Sequence, residues 1–138
     1  MWIDGTNNGT TFYDQSGNNN PATQTNNPVT TRILQYRTTA FNGSSQYLSA
    51  TNTFLSSFTA VSWGAWVKTT YSAADTEIMT SNTTNAVFTL RVAGGNPYFR
   101  VYAGGVGTVL NPSFNITDGS WHHVMGTWDG STMTIFVD

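Results

Sequence analysis

The chain contains no cysteine, which excludes disulfide bonds and thiolate metal sites. Charged residues make up only 9% of the sequence, against about 25% in a typical globular domain. The five cations are spread along the chain and are Lys68, Arg32, Arg37, Arg91 and Arg100. Because nucleic-acid binding requires a clustered basic surface, we expect no nucleic-acid partner. No apolar run approaches the roughly 20 residues of a membrane-spanning helix, so we also expect no membrane insertion.

Aromatic residues, by contrast, are abundant at 14%, and β-branched threonine and valine occur throughout. The apolar spacing of an amphipathic helix is almost absent, whereas alternation of apolar and polar residues recurs. A chain of 138 residues is long enough to form one domain with a substantial buried core. We therefore expect a single all-β domain over residues 1–138 in which most aromatic side chains are buried.

The alternating segments predict the positions of the strands. Residues 59–68 place Val61, Trp63, Ala65 and Val67 on one face, and since Trp66 makes the second face apolar too, we expect a central strand covered on both sides. Residues 86–93 and 98–102 predict a hairpin around a Gly-rich turn at 94–97. Further short strands are predicted at Ile33–Tyr36, Gln46–Ser49, Glu77–Thr80 and Thr108–Leu110. Such spacing favours an antiparallel β-sandwich or jelly roll.

The two ends of the chain differ in residue composition and pattern. Residues 5–31 are polar and rich in turn residues, so we expect residues 1–31 to form a strand plus long polar loops, with the sandwich core in residues 32–138. The last eighteen residues, 121–138, contain two alternating runs around Asp129-Gly130-Ser131-Thr132, which predicts a hairpin. Within it, His122 and His123 are adjacent on a strand and face opposite sides, so they cannot ligate one metal ion together.

Four segments resemble laminin-G-like domains of the concanavalin A-like lectin/glucanase superfamily. They are the D-Q-S-G-N-N-N loop at 14–20, the F-N-G-S-S-Q-Y-L entry at 41–48, the aromatic strand at 58–68 and the W-H-H-V hairpin at 121–138. The W-I-D start and the D-Q-S-G-N loop are especially similar to versions in bacterial surface and bacteriophage tail proteins. The resemblance implies a jelly-roll sandwich, and an extracellular or virion-surface location.

Domains of this family continue past the V-D-G of the closing hairpin with further strands. The resemblance therefore leads us to expect a sandwich truncated at its C-terminal strands. A missing strand leaves unpaired backbone groups at a sheet edge, which is a template for association. We accordingly expect self-association, or pairing with another chain, through an unpaired edge.

The enzymatic relatives carry a Glu-x-Asp-x-x-Glu strand, and glycoside hydrolysis needs two carboxylates at a fixed separation. Here Glu77 is the only glutamate, and Asp75 is its only nearby carboxylate. Their spacing on a strand would direct both to one face, but a solvated boundary between loop and strand is the favoured interpretation. We expect no enzymatic activity.

The resemblance also implies a calcium ion at the rim of the sandwich. Asp14, Ser16 and Asn18 offer oxygen ligands at alternate positions, which suits calcium. The alternative, which we favour, is an Asx-turn in which Asp14 accepts hydrogen bonds from its own loop.

Binding of a sugar requires an exposed aromatic ring with hydroxyl, amide or charged groups close to it. The tentative ligand-binding residues are Tyr71, Tyr98, Arg100, Tyr102 and Trp128. We expect a non-catalytic, lectin-like domain that binds a glycan or a cell-surface polymer. The alternative is a structural decoration or assembly module of a virion or surface layer, and a glycoside hydrolase is less favoured than either.

Overall fold

A computed structural model describes residues 3–7, 9–51, 59–73, 75–82, 86–103 and 106–138. These ranges contain thirteen strands and no helix. Accordingly, they include no helix with the length and apolarity needed to cross a membrane. The chain divides into two compact units, Met1–Thr53 and Phe54–Asp138. Whether the whole chain acts as one domain stays a prediction.

The first unit consists of two antiparallel sheets. Its strands are β1 (Ile3–Asn7), β2 (Thr11–Asp14), β3 (Ala22–Thr25), β4 (Val29–Ile33), β5 (Tyr36–Ala40) and β6 (Tyr47–Ser49). The order in the larger sheet is β1-β2-β3-β6, while β4 and β5 form a separate hairpin. Phe12 and Ala22 are buried and paired across β2 and β3. Residues 5–31 therefore hold more strand than the single strand and long loops predicted for this segment.

The predicted strand at Ile33–Tyr36 is wrong, because this segment contains a hairpin turn. Ile33 ends β4, Tyr36 begins β5, and Leu34 and Gln35 connect them. Leu34 adopts a left-handed backbone with φ of 56°, a conformation that bulky residues rarely take. The apolar residues of this segment favour a strand, but the pairing of β4 with β5 requires a turn at Leu34 and Gln35.

The second unit is a β-sandwich. Its strands are β7 (Val61–Val67), β8 (Thr76–Asn82), β9 (Ala86–Ala93), β10 (Asn96–Ala103), β11 (Val106–Leu110), β12 (His122–Trp128) and β13 (Met133–Val137). One antiparallel sheet has the order β11-β10-β9-β8, and the other has the order β13-β12-β7. The core lies between them, because inward side chains of both sheets form one buried cluster of Phe88, Leu90, Val92, Phe99, Val101 and Val124. Ile116 joins this cluster from the segment between β11 and β12. The predicted all-β antiparallel sandwich is confirmed.

Most of the predicted strands are found close to their predicted bounds. β7, β9 and the hairpin of β12 and β13 match the alternation of the sequence. β8 and β11 contain two of the shorter predicted segments, and β6 covers all but the first residue of the third. The turn before β10 is shorter than predicted: Gly94 and Gly95 form it, and Asn96 and Pro97 already belong to the strand. Trp2 and Phe58, which contribute to the family-like motifs, lie outside the described residues.

The prediction that β7 is covered on both faces is wrong. Among the described strands β7 pairs with β12 alone and therefore lies at the edge of its sheet. Trp63 faces the core, whereas the Trp66 side chain is 66% exposed on the opposite face. An apolar residue on both faces of a strand therefore did not indicate burial of both faces.

The two sheets are in close contact at Gly126, on the inward face of β12. A Cβ atom placed on Gly126 would lie 2.4 Å from the ring of Phe99, which is fully buried. The backbone of β12 thus takes the place of a side chain in the core. This contact requires glycine at position 126 for reasons of space.

We predict that Gly126→Ala lowers the free energy of unfolding by about 1–3 kcal/mol, the usual cost of an overpacked core. The methyl group would force the Phe99 ring or the β12 backbone to shift. Chemical denaturation followed by tryptophan fluorescence measures the change. Gly64→Ala is the matched control in the same sheet, since its Cβ would lie 3.4 Å from Met125, an ordinary contact. Equal destabilisation by both variants would contradict the prediction.

Candidate functional site

The face of the β13-β12-β7 sheet that points away from the core carries the candidate site. Alternation along the three strands directs one set of side chains to the core and the other outward. We call the outward set the outer face, and its members are Ser62, Gly64, Trp66, His123, Met125, Thr127, Thr134 and Phe136. Cross-strand pairing arranges them in three rows.

The first two rows are apolar and aromatic. Trp66 lies opposite His123, with ring centroids 5.2 Å apart, and forms the first row. In the second row Met125 lies between Gly64 and Phe136. The Phe136 side chain is 53% exposed. Because Gly64 has no side chain, nothing on β7 rises beside the Trp66 ring on this side, and the aromatic surface stays open.

The third row is polar and leads to a cleft. Thr127 lies between Ser62 and Thr134, so three strands present one hydroxyl each. Beyond this row is a cleft of about 380 Å³. It is lined by Ala60, Val61, Ser62, Thr127, Trp128, Asp129, Thr132 and Thr134. The outer face is therefore apolar at one end and hydroxyl-rich at the other.

The turn from β12 to β13 forms one wall of this cleft. Asp129 Oδ1 accepts hydrogen bonds from the backbone N–H groups of Thr132 (2.7 Å) and Ser131 (2.9 Å). These bonds hold the pKa of Asp129 below its usual range. Gly130 has φ of 102°, and a Cβ there would lie 2.9 Å from the carbonyl oxygen of Thr59. The carboxylate is thus committed to shaping the turn.

Three of the five predicted sugar-binding residues share a face, on the other sheet. Tyr98, Arg100 and Tyr102 alternate along β10 with the buried Phe99 and Val101, and so point away from the core. The guanidinium of Arg91, whose Nη1 lies 2.8 Å from Asp75 Oδ2, covers the Tyr98 ring at 3.8 Å from its centroid. The guanidinium of Arg100 lies 5.9 Å from the Tyr102 ring. Charged groups of the protein therefore already occupy part of this surface.

The other two predicted residues lie apart from that row. Tyr71 is in the segment between β7 and β8 and is 57% exposed. Trp128 packs inward against Phe88, with ring centroids 6.3 Å apart, and its edge lines the cleft. Trp128 is thus the one predicted ligand-binding residue that borders the outer face.

Asp75 and Glu77 do not form a pair of free carboxylates. Asp75 is ion-paired with Arg91, and Glu77 lies opposite Arg91 in the ladder of β8 and β9. Partial burial raises the pKa of Glu77, an effect that Arg91 opposes. Neither residue lines the cleft.

The predicted calcium ligands form a closed turn. Asp14 Oδ1 accepts a hydrogen bond from the backbone N–H of Ser16 (2.9 Å), and Oδ2 accepts one from that of Asn20 (2.9 Å). The side-chain amide of Asn18 donates to Ser16 Oγ (3.1 Å). This geometry is that of the Asx-turn, and a calcium site at Asp14, Ser16 and Asn18 stays a prediction. In the described part of the chain, no three His, Cys, Asp or Glu side chains are placed to hold a metal ion.

His122 lies between two carboxylates at the start of β12. Its Nδ1 is 2.8 Å from Asp138 Oδ2, and its Nε2 is 3.1 Å from Asp118 Oδ1. The hydrogen bond with Asp138, followed by that with Asp118, raises the pKa of His122. Asp138 also accepts from the backbone N–H of His123 (2.8 Å). His122 thus joins three segments of the second unit, and we call this arrangement the clamp.

Sequence reasoning missed Trp66 and Phe136 as candidate ligand-binding residues. Trp66 stands among Ser62 and Gly64 at the polar positions of its strand, and Phe136 follows Thr134 in the same way. The sequence does contain a signal for such residues, namely an aromatic residue at a polar position of an alternating strand. At Trp66 this signal leads us to expect a covered face, whereas the structure has an exposed ring there.

Comparison with known families gives one match. The model of the concanavalin A-like lectin/glucanases superfamily, Laminin_G_3, matches residues 42–138, which is more than half of the chain. The chain belongs to this superfamily. The resemblance to this superfamily is thereby confirmed, and membership fits a binding role. The similarity to bacterial surface and bacteriophage tail proteins stays a prediction. No curated protein and no solved structure matched.

We predict that the clamp around His122 makes stability depend on pH. Because its pKa is raised in the folded state, the stabilisation is complete below the unfolded value of about 6.5 and is lost as the pH rises through the higher folded value. The lowered pKa values of Asp118 and Asp138 give a second loss, as the pH falls below about 3.9 through their folded values.

Urea unfolding at pH 6 and pH 9 measures the alkaline limb. Wild type should lose stability over this interval, and His122→Asn should lose markedly less. His123→Asn is the matched control, since it leaves the clamp intact and should keep the slope. An identical slope in wild type and His122→Asn would contradict the assignment.

We predict that EDTA leaves the melting temperature unchanged, because backbone N–H groups already occupy both carboxylate oxygens of Asp14. Thermal unfolding in calcium and in EDTA measures this. A lower melting temperature in EDTA for wild type, absent in Asp14→Asn, would instead establish the calcium site.

Proposed function

We propose that the domain is a non-catalytic carbohydrate-binding module that recognises a glycan or surface polymer through the outer face. The observation that carries the proposal is the pair of exposed rings, Trp66 and Phe136, on the same face as the hydroxyl row of Ser62, Thr127 and Thr134. We place this activity at an extracellular or virion surface, where such polymers occur.

The chemistry of a sugar ring supports the proposal. A sugar presents C–H groups on its faces and hydroxyl groups around its edge, so it needs an apolar surface with polar groups beside it. Aromatic rings provide the first, and hydroxyls that both donate and accept provide the second. Covering about 100 Å² of aromatic surface contributes about 2.5 kcal/mol at about 25 cal/mol per Å². That amount suits the binding of a repeated polymer at several positions.

The arrangement of the carboxylates supports a non-catalytic role. Glycoside hydrolysis needs one acid and one base or nucleophile facing each other across the bond. The outer face carries no Asp or Glu, the carboxylate of Asp129 is committed to its turn, and Asp75 is paired with Arg91. The remaining carboxylates whose side chains the structure describes, Asp14, Asp118 and Asp138, are hydrogen-bonded, so none of the described carboxylates is free to act with Glu77.

We predict that Trp66→Ala and Phe136→Ala each weaken polymer binding at least tenfold without changing the fold. Affinity electrophoresis in gels containing neutral polysaccharides measures the retardation. Tyr36→Ala is the matched control, because Tyr36 is also 66% exposed but lies on β5 in the other unit. Loss of retardation in all three variants, or in none, would contradict the assignment of the site.

A second candidate function is a structural module, favoured by the same exposed cluster of Trp66, Met125 and Phe136. Contiguous apolar surface also marks protein interfaces. Among the described strands β7 and β13 each have one neighbour, so either edge could pair with a second copy. Sedimentation velocity distinguishes the candidates: oligomers that Trp66→Ala converts to monomers, with no polymer retarding the wild type, would favour the structural role.

A further inference from the structure

We infer that the ligand of the outer face is an uncharged glycan chain that spans at least three sugar rings, running from Trp66 to the hydroxyl row of Ser62, Thr127 and Thr134. The inference rests on the proposed function and adds the charge, the length and the direction of the ligand. It follows from the spacing of the three rows and from the position of the charged groups around them.

The spacing of the rows sets the length. Outward residues on a strand are two positions apart, which is about 7 Å. Trp66 and Ser62 are four positions apart, so the aromatic row and the hydroxyl row are separated by about 13 Å. A single sugar ring is about as large as one aromatic ring and cannot reach both rows. A ligand that uses the whole face therefore places one ring on each row.

The second row leaves room for a glycan chain to cross it. Gly64 contributes no side chain, and Met125 has a flexible, polarisable side chain that adapts to irregular surfaces. Its neighbour Phe136 adds a second exposed ring. The path from Trp66 to the hydroxyl row thus passes over Gly64 and the Met125 side chain, whose Cγ lies 3.4 Å from the position that a Gly64 Cβ would take. A glycan on this path would rest on apolar groups.

The positions of the charged side chains around the outer face favour a neutral ligand. The second and third rows contain no ionisable side chain, so a carboxylate or sulfate on the chain would lose water there without gaining a partner. Lys68 follows β7 beyond Trp66, at the opposite end from the cleft. Asp129, at the cleft, is negative and would repel an anionic chain. An anionic polymer therefore meets its only nearby lysine at one end and a like charge at the other.

The hydroxyl row gives the bound glycan a direction on the outer face. Ser62, Thr127 and Thr134 each donate one hydrogen bond and accept others, which matches the hydroxyl groups at the edge of a sugar. The ring at this end is recognised by hydrogen bonds, and the ring on Trp66 is recognised by stacking. Removal of a hydroxyl should therefore affect only ligands that are long enough to reach it.

Two measurements test the inference with the whole chain. The first compares retardation in gels of neutral polymers (glucans and mannan) with retardation in gels of polygalacturonate and alginate. We expect at least one neutral polymer to retard the protein and the acidic ones not to do so. Retardation by an acidic polymer that Lys68→Gln abolishes would overturn the assignment of a neutral ligand.

The second measurement uses calorimetry with oligosaccharides of one to five rings from the neutral polymer that binds. We expect affinity to rise at least tenfold from one ring to three and to level off beyond that. Thr127→Val, which keeps the shape but removes the hydroxyl, should weaken binding of the three-ring ligand several-fold and leave the one-ring ligand unchanged. Its melting temperature shows whether the variant is folded.

The outcomes separate this inference from the proposed function. Binding that depends on Trp66 but is equally strong for one ring and for three would overturn the extended ligand and leave glycan binding in place. Retardation by no polymer, neutral or acidic, would contradict both.

Discussion

The packing of the Phe99 ring against the backbone of Gly126 is the contact on which the second unit depends. It brings β10 and β12, the inner strands of two sheets, into close register. Because β12 is paired on both sides, the positions of β7 and β13 follow from it. Side chains alternate along a strand, so a shift by one residue would turn Trp66 and Phe136 inward and bring Val124 outward. One contact in the core thus determines which residues form the outer face.

The few acidic residues serve the loops of this fold. Asp14 and Asp129 each accept hydrogen bonds from backbone N–H groups of their own turns, and Asp118 does the same for Ser120. Asn42 has an equivalent role, with Oδ1 accepting from the N–H groups of Ser44 and Ser45. A short side-chain oxygen satisfies these donors locally and fixes the shape of the turn. In this chain of few charged residues, most carboxylates therefore stabilise turns or ion pairs. Few are left that could act in catalysis.

Much of the fold could be predicted from the sequence, because alternation is a local property. The faces of β9, with Phe88, Leu90 and Val92 buried, and the hairpin around Asp129 follow directly from the order of residues. The turn at Leu34 could not be predicted this way, since the apolar residues there favour a strand and only the pairing of β4 with β5 excludes it. Local pattern gives the faces of a strand, but its place in a sheet depends on partners that are distant in sequence.

The same distinction explains why the candidate site was predicted only at its border, through Trp128. Burial of apolar residues is a one-way tendency: a core requires them, but an apolar residue need not be in a core. Trp66 could be assigned to the surface only from its 66% exposure in the structure, because a further layer over the second face of β7 would have buried the ring. By contrast, Tyr98 points away from the core, yet the guanidinium of Arg91 covers its ring. A ring that points away from the core can still be covered by another side chain of the protein. Both properties depend on residues of neighbouring strands. A binding surface in a sandwich therefore depends on what packs against each face of a sheet. In the described part of the chain, the outer face carries Trp66 and Phe136 with their rings exposed.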